Sequence, residues 1–254
     1  MKIVRRFAAL ILLLPVVALF QTACAESVES TPAQVVAPAS AKASAATQPK
    51  LAEAAKPASL SKPAPSNLQY QAGTHYQVLP NPARTLDPNK IEVMEVFWYG
   101  CSHCFDFEPL IKAWKEGIAD DVVFARTPAV WRPVMKVHAN VYYAAEALDM
   151  PDELHHDIFT ILGKNPRLED QKEFAKAFAK YDVSEEKYLK TVKAFGITGK
   201  VSQAETRARK NYMVQGTPEL IVNGKYRVSG RMAGNQASML QVVDYLVEME
   251  RSSK

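Results

Sequence analysis

The sequence predicts an α/β domain with a block of helices set into it, preceded by a leader and a linker. Three observations carry this reading. From Ile91 to Ile118 an apolar, β-branched run passes through Gly100 into an amphipathic helix. From Pro133 to about Arg209 the apolar period becomes that of successive helices. Beyond them, two short apolar runs flank Asn223-Gly224, a hairpin signal, and an amphipathic stretch closes the chain.

Taken in order, Met1 to Ala25 has a basic start (Lys2, Arg5, Arg6), an apolar run from Phe7 to Phe20 and small residues at its end. That pattern is a secretory signal, too short and wrongly flanked for a membrane span. Ala23-Cys24-Ala25 fits a cleavage site that leaves Glu26 as the mature N-terminus. A rival reading makes Cys24 the acylated first residue of a lipoprotein, although Gln21 stands where that pattern wants an aliphatic residue. Glu26 to Ser66 is rich in Ala, Pro, Ser and Lys and has neither glycine nor aromatic residues. It cannot bury enough apolar surface to offset ordering entropy, so residues 26–66 read as a disordered linker. Residues 67–254 form one domain.

Within that domain, His75 to Leu79 reads as an edge strand and Ile91 to Trp98 as the central one. Cys101 to Ile118 is the first helix, and Val122 to Arg126 is another strand, ended by Pro128. Five helices are expected in the insertion, about 131–210: Val134 to Leu148, Pro151 to Leu162, Asp170 to Tyr181, Ser184 to Ala194 and Thr198 to Lys210. Pro151 and Ser184 suit helix starts, and Gly163 and Gly196 are placed just past helix ends. Glu219 to Val222 and Tyr226 to Val228 pair through a type I′ turn at Asn223-Gly224, and Gln236 to Arg251 is the closing helix.

The chemistry concentrates at Cys101-Ser102-His103-Cys104. Cys101 falls at a helix N-terminus, where unpaired N–H groups and the helix dipole favour a thiolate. Cys104 opens the apolar stripe that continues through Phe107, Leu110, Ile111, Trp114 and Ile118, so it is the buried partner. His103 reads as a donor and partial positive charge beside the Cys101 thiolate. Glu95 stands inside an otherwise apolar strand, where a carboxylate is costly unless paired or protonated. It is a candidate proton acceptor for Cys104. Glu108, one helical turn past Cys104, reads as a solvated charge with a modest tuning role.

These residues, with Pro109 eight positions past Cys101 and Thr217-Pro218 far downstream, resemble the thioredoxin fold. More closely, Cys101-Ser102-His103-Cys104, Glu95 and Glu108 resemble the DsbA family of bacterial thiol–disulfide oxidoreductases over roughly Asn67 to Lys254. The resemblance implies a thioredoxin fold with an inserted helical domain. It also implies a redox-active Cys101–Cys104 disulfide, with Cys101, Cys104, His103 and Glu95 catalytic. Pro109 should kink the first helix near Phe105. Thr217-Pro218 is then expected to be cis, facing the cysteines and offering the Thr217 backbone to an extended substrate. The family often pairs its buried glutamate with a lysine on the next strand. None lies in Ala119 to Phe124, so Arg126 is the substitute.

The expected function is that of a periplasmic oxidase introducing disulfides into exported proteins, without cofactor. Its partners would be reduced, unfolded secreted proteins and a DsbB-like, quinone-linked membrane oxidase. A disulfide isomerase or reductase using the same site is the alternative, since Ser102 stands where relatives commonly carry proline. A segment upstream that is linker rather than dimerisation domain points to a monomer. A zinc site completed by His155 and His156 would instead make the chain a non-catalytic metal- or peptide-binding module, but no second cysteine pair exists to hold a structural metal. The 31 basic residues include three in the leader, and the rest nearly balance the 27 acidic ones, so nucleic acid is not an expected partner.

Overall fold

The computed structural model describes residues 70–253. The expectations for a signal at 1–25, Cys24 and the linker at 26–66 fall outside these residues. No helix among the described residues is long and apolar enough to cross a membrane.

Strand β1 (Gln77–Val78) is followed by β2 (Ile91–Phe97), helix α1 (Ser102–Lys115) and β3 (Val122–Pro128). Helices α2 (Pro133–Ala147), α3 (Asp152–Lys164), α4 (Gln171–Ala179), α5 (Glu185–Val192) and α6 (Phe195–Thr206) come next. Then β4 (Glu219–Val222), β5 (Tyr226–Ser229), a single turn α7 (Gly230–Ala233) and α8 (Gln236–Arg251) complete the chain. One five-stranded sheet has the order β1-β5-β4-β2-β3, with β2 and β3 parallel and the other pairs antiparallel. This is the thioredoxin arrangement, and the helices α2 to α6 fall between β3 and β4.

Both faces of β2 are covered, which is why its sequence is nearly continuous in apolar residues. Ile91 and Val93 pack with Phe107 and Ile111 of α1 and with Met239, Val243 and Leu246 of α8. Met94 and Val96 point the other way, to Met135, Tyr212 and Ile221. At the end of the strand, Phe97 and Tyr99 join Cys104 in a third cluster whose remaining members, from Val141 to Val192, belong to the insertion. Helix α1 runs through Pro109 as one element of 14 residues.

Several expectations need correction. The middle strand of the sheet is β4, while β2 lies between β4 and β3. Gly163 lies inside α3 and Gly196 inside α6, because Leu162 and Ile197 are buried and their packing carries the helices across these weak formers. Helix α6 starts at Phe195 rather than Thr198 and loosens over Arg207–Asn211 into a wider turn, in which the Tyr212 N–H reaches back to the Arg207 carbonyl. The hairpin does turn at Asn223 (φ 49°) and Gly224 (φ 65°), with the Lys225 N–H donating to the Val222 carbonyl. The ladder nevertheless pairs Val222 with Tyr226, so three residues lie between the paired positions.

Candidate active site

Cys101 is the N-cap of α1 in extended conformation (φ −100°, ψ 114°), and no side chain caps the helix. The first turn also carries no acidic residue. The place that a capping carboxylate would fill is therefore left to the sulfur. Cys101 is partly exposed, Cys104 is fully buried, and both stand as free thiols.

The two cysteines differ sharply in acidity. The Cys101 thiol is pulled down to about 5, first by a hydrogen bond from the Cys104 S–H. The Thr217 hydroxyl and the backbone N–H groups of Cys104 and His103 add to this, against a burial penalty. Thr217 acts in two directions, because its carbonyl oxygen also lies 3.3 Å from the Cys101 sulfur and accepts from the protonated thiol. The Cys104 thiol moves the other way, well above the usual range, through burial first and then the neighbouring Cys101 and Glu95. His103 is exposed, and its backbone N–H is among the groups that lower the Cys101 pKa. Its carbonyl accepts from the Gln236 side chain at the start of α8.

Below the cysteines lies a chain of buried charges. Glu95 is fully buried on β2 and Arg126 is its register partner on β3, with Arg126 Nε 2.9 Å from Glu95 Oε2. The same guanidinium grips Glu108 of α1 through Nη2 at 2.9 Å. Burial raises the Glu95 carboxyl, to about 7, although Arg126 opposes the shift. Burial also pushes on Glu108, but His155 and Arg126 outweigh it and hold that carboxyl below its ordinary value. Glu95 Oε1 has no hydrogen-bond partner among the described residues and is available to a proton. Arg126 is thus the partner that the sequence suggested. Glu108, by contrast, is not a solvated charge, since α3 packs over it.

The sequence offers His155 only as a zinc ligand. In the structure its Nδ1 lies 2.7 Å from the Tyr99 hydroxyl, and its Nε2 lies 3.4 Å from Glu108 Oε1, too far for a well-formed hydrogen bond. Burial first depresses its pKa, which favours the neutral ring. His156 on the same helix is exposed. Tyr99 and His155 carry no local sequence signal, because their contact joins the turn after β2 to the insertion.

Thr217-Pro218 is cis and lies against Cys101. Beside it a groove of about 510 Å³ is lined by His103, Thr217, Pro218, Arg231, Gln236 and their neighbours.

A low-pKa thiol at a helix start, a buried thiol one turn on and a cis-proline on a thioredoxin frame define a thiol–disulfide oxidoreductase. No family model matches the chain. It is 38% identical over 185 residues to the thiol:disulfide interchange protein DsbA of Pseudomonas aeruginosa, covering 72% of this chain and 87% of the relative. The corresponding protein of Azotobacter vinelandii is 36% identical over 183 residues, with coverage of 72% and 85%. The crystal structure of Pseudomonas aeruginosa DsbA superposes with a TM-score of 0.68 over 72% of this chain and 96% of that one, at 38% identity. That of the oxidoreductase DsbA from Xylella fastidiosa gives 0.66 over 72% and 98%, at 31% identity. The chain belongs to the DsbA family of thiol:disulfide interchange proteins.

Proposed function

We propose that the chain oxidises dithiols in exported proteins, with Cys101 as the exchanging sulfur and Cys104 as the resolving one. A substrate thiolate attacks Cys101 of the Cys101–Cys104 disulfide, and Cys104 leaves. A second substrate thiolate then attacks the substrate's own sulfur in the mixed disulfide and releases Cys101 as a thiolate. Two electrons pass from the substrate dithiol to the enzyme. Of the two substrate protons, one ends on Cys104 and the other is released, because Cys101 is acidic enough to remain ionised. The observation that carries the assignment is the split in acidity, Cys101 drawn down to about 5 and Cys104 pushed up.

Glu95 supplies and receives the Cys104 proton in this reading, supported by its raised pKa and its unpartnered Oε1. Thr217 and Pro218 dock the substrate backbone, supported by the 3.3 Å approach of the Thr217 carbonyl to Cys101. Residues 1–25 export the chain to the periplasm and are removed to leave Glu26 as the mature N-terminus, with residues 26–66 a linker ahead of the domain. The partners are reduced secreted proteins and a DsbB-like, quinone-linked membrane oxidase, met by a monomer.

Equilibrating the protein with glutathione and reading its thiol–disulfide ratio tests the direction. An oxidising potential, with oxidation of a reduced unfolded protein in stoichiometric mixing, is the expected result. A potential as reducing as that of a cytosolic reductase overturns the oxidase reading. Mass spectrometry of the exported protein should find Glu26 first, and a diacylglyceryl group on Cys24 would replace that reading with a lipoprotein.

A further inference from the structure

The segment leading into the cis-proline is held by a buried ion pair. Glu219 and Arg227 are each only 4% exposed, on β4 and β5. Glu219 Oε1 accepts from the backbone N–H groups of Gln215 at 3.3 Å and Gly216 at 3.2 Å. The Arg227 guanidinium donates through Nη1 to the Met213 carbonyl and through Nη2 to Gln77 Oε1 at 2.6 Å. Its Nε lies 3.5 Å from Glu219 Oε2, a charge contact in which neither atom has a hydrogen-bond partner among the described residues.

Met213 sits at φ 52°, a left-handed conformation that costs a side-chain-bearing residue energy. A buried pair with imperfect geometry is a poor source of stability, because desolvation offsets its attraction. What the pair does achieve is geometric. Two side chains from adjacent strands fix three backbone groups within four residues, and the next residue is Thr217, whose carbonyl faces Cys101.

We infer that Glu219 and Arg227 are positioning residues for substrate docking, holding Met213 to Gly216 so that the Thr217 backbone is presented beside Cys101. This rests on the reading that substrates dock along Thr217.

The test is the oxidised full chain reduced in single turnover by a dithiol peptide or by dithiothreitol, which is too small to run along the loop. For Glu219→Ala, the peptide concentration giving half-maximal rate should rise about tenfold, while the dithiothreitol rate stays within about twofold. Glu219→Gln retains an acceptor for Gln215 and Gly216 and should recover most of the loss. Leu246→Ala, a core truncation outside the loop, should lower the melting temperature and leave the peptide dependence unchanged. Should Glu219→Ala not fold, Arg227→Lys, which keeps the charge and loses the fork, should give the same split at smaller size. An unchanged peptide dependence in the folded variant, or equal losses with both reductants, overturns the inference. A wild-type chain that fails to oxidise the peptide while reacting with dithiothreitol overturns the parent reading, and this one with it.

Discussion

Arg126 Nε lies 2.9 Å from Glu95 Oε2, directly across the parallel pair β2 and β3 and beneath the buried cysteine. Because the same guanidinium also holds Glu108, its removal leaves two carboxylates in low dielectric. Arg126→Ala should therefore cost about 3–5 kcal/mol of stability in urea denaturation. Arg126→Lys, with one point charge for two partners, should lose less. A neutral effect of the alanine variant would mean that the carboxylates simply protonate.

Glu95 sets a pH dependence of its own. Its folded pKa is raised above the ordinary carboxyl value, so ionising it is easier in the unfolded chain. Stability of the native state should then fall as pH rises from the unfolded value, near 4.5, through about 7. The measurement belongs on the disulfide form, where no cysteine titrates. Glu95→Gln should flatten the profile in that window, and a profile identical to wild type would remove Glu95 as its source.

Cys101 acts with the opposite sign in the reduced protein. Its folded pKa is depressed to about 5, so the stabilisation is complete above the unfolded thiol pKa and is lost as pH falls through about 5. Because the sulfur is partly solvated, the effect at pH 7 should be on the order of 1–2 kcal/mol after allowing for screening. The dithiol form should melt above the disulfide form at pH 7, with a gap that closes in acid. A disulfide form that melts higher at pH 7 would falsify this account.

The source of that acidity can be separated by substitution. Cys104→Ala removes the first contributor and should raise the Cys101 pKa, read from thiolate absorbance against pH. His103→Ala keeps the backbone N–H and should leave it nearly unchanged. A large rise in the His103 variant would assign the imidazole the role that the sequence suggests for it. In the wild type, Cys101 should be alkylated far faster than Cys104.

Gly224 tests the hairpin. It combines φ 65° with a position where a β-carbon would collide with the Ala83 carbonyl oxygen. Gly224→Ala should cost at least about 2 kcal/mol in equilibrium unfolding, more than conformation alone would predict.

How far the sequence alone revealed these features depended on how local each one is. The cysteine pair, the helix stripe behind it and the Asn223-Gly224 turn are written in consecutive residues, and all three appear where expected. Glu108 reads as solvated because its surroundings come from α3, some 50 positions on, which no period within α1 reveals. Tyr99–His155 and Glu219–Arg227 leave no trace in the sequence for the same reason, each being a contact between elements. Sheet order is equally non-local, so the apolar run that leads into the active site reads as the central strand, whereas β4 holds that place. Gly163 and Gly196 have the composition of helix stops, and only the burial of Leu162 and Ile197 overrides it.

The core around Cys104 has one further consequence. Phe97, Tyr99 and Cys104 are sealed by Leu154, Phe159, Phe174, Phe178 and Tyr188, every one of them from the insertion. Splicing the chain from Val130 to Gly216 would retain every strand of the sheet, both cysteines and the cis-proline. It would also open the resolving sulfur to water and strip the burial that keeps its proton in place. A minimal catalyst cut down to the bare sheet and its two flanking helices would thus keep the motif and narrow the difference between its two thiols.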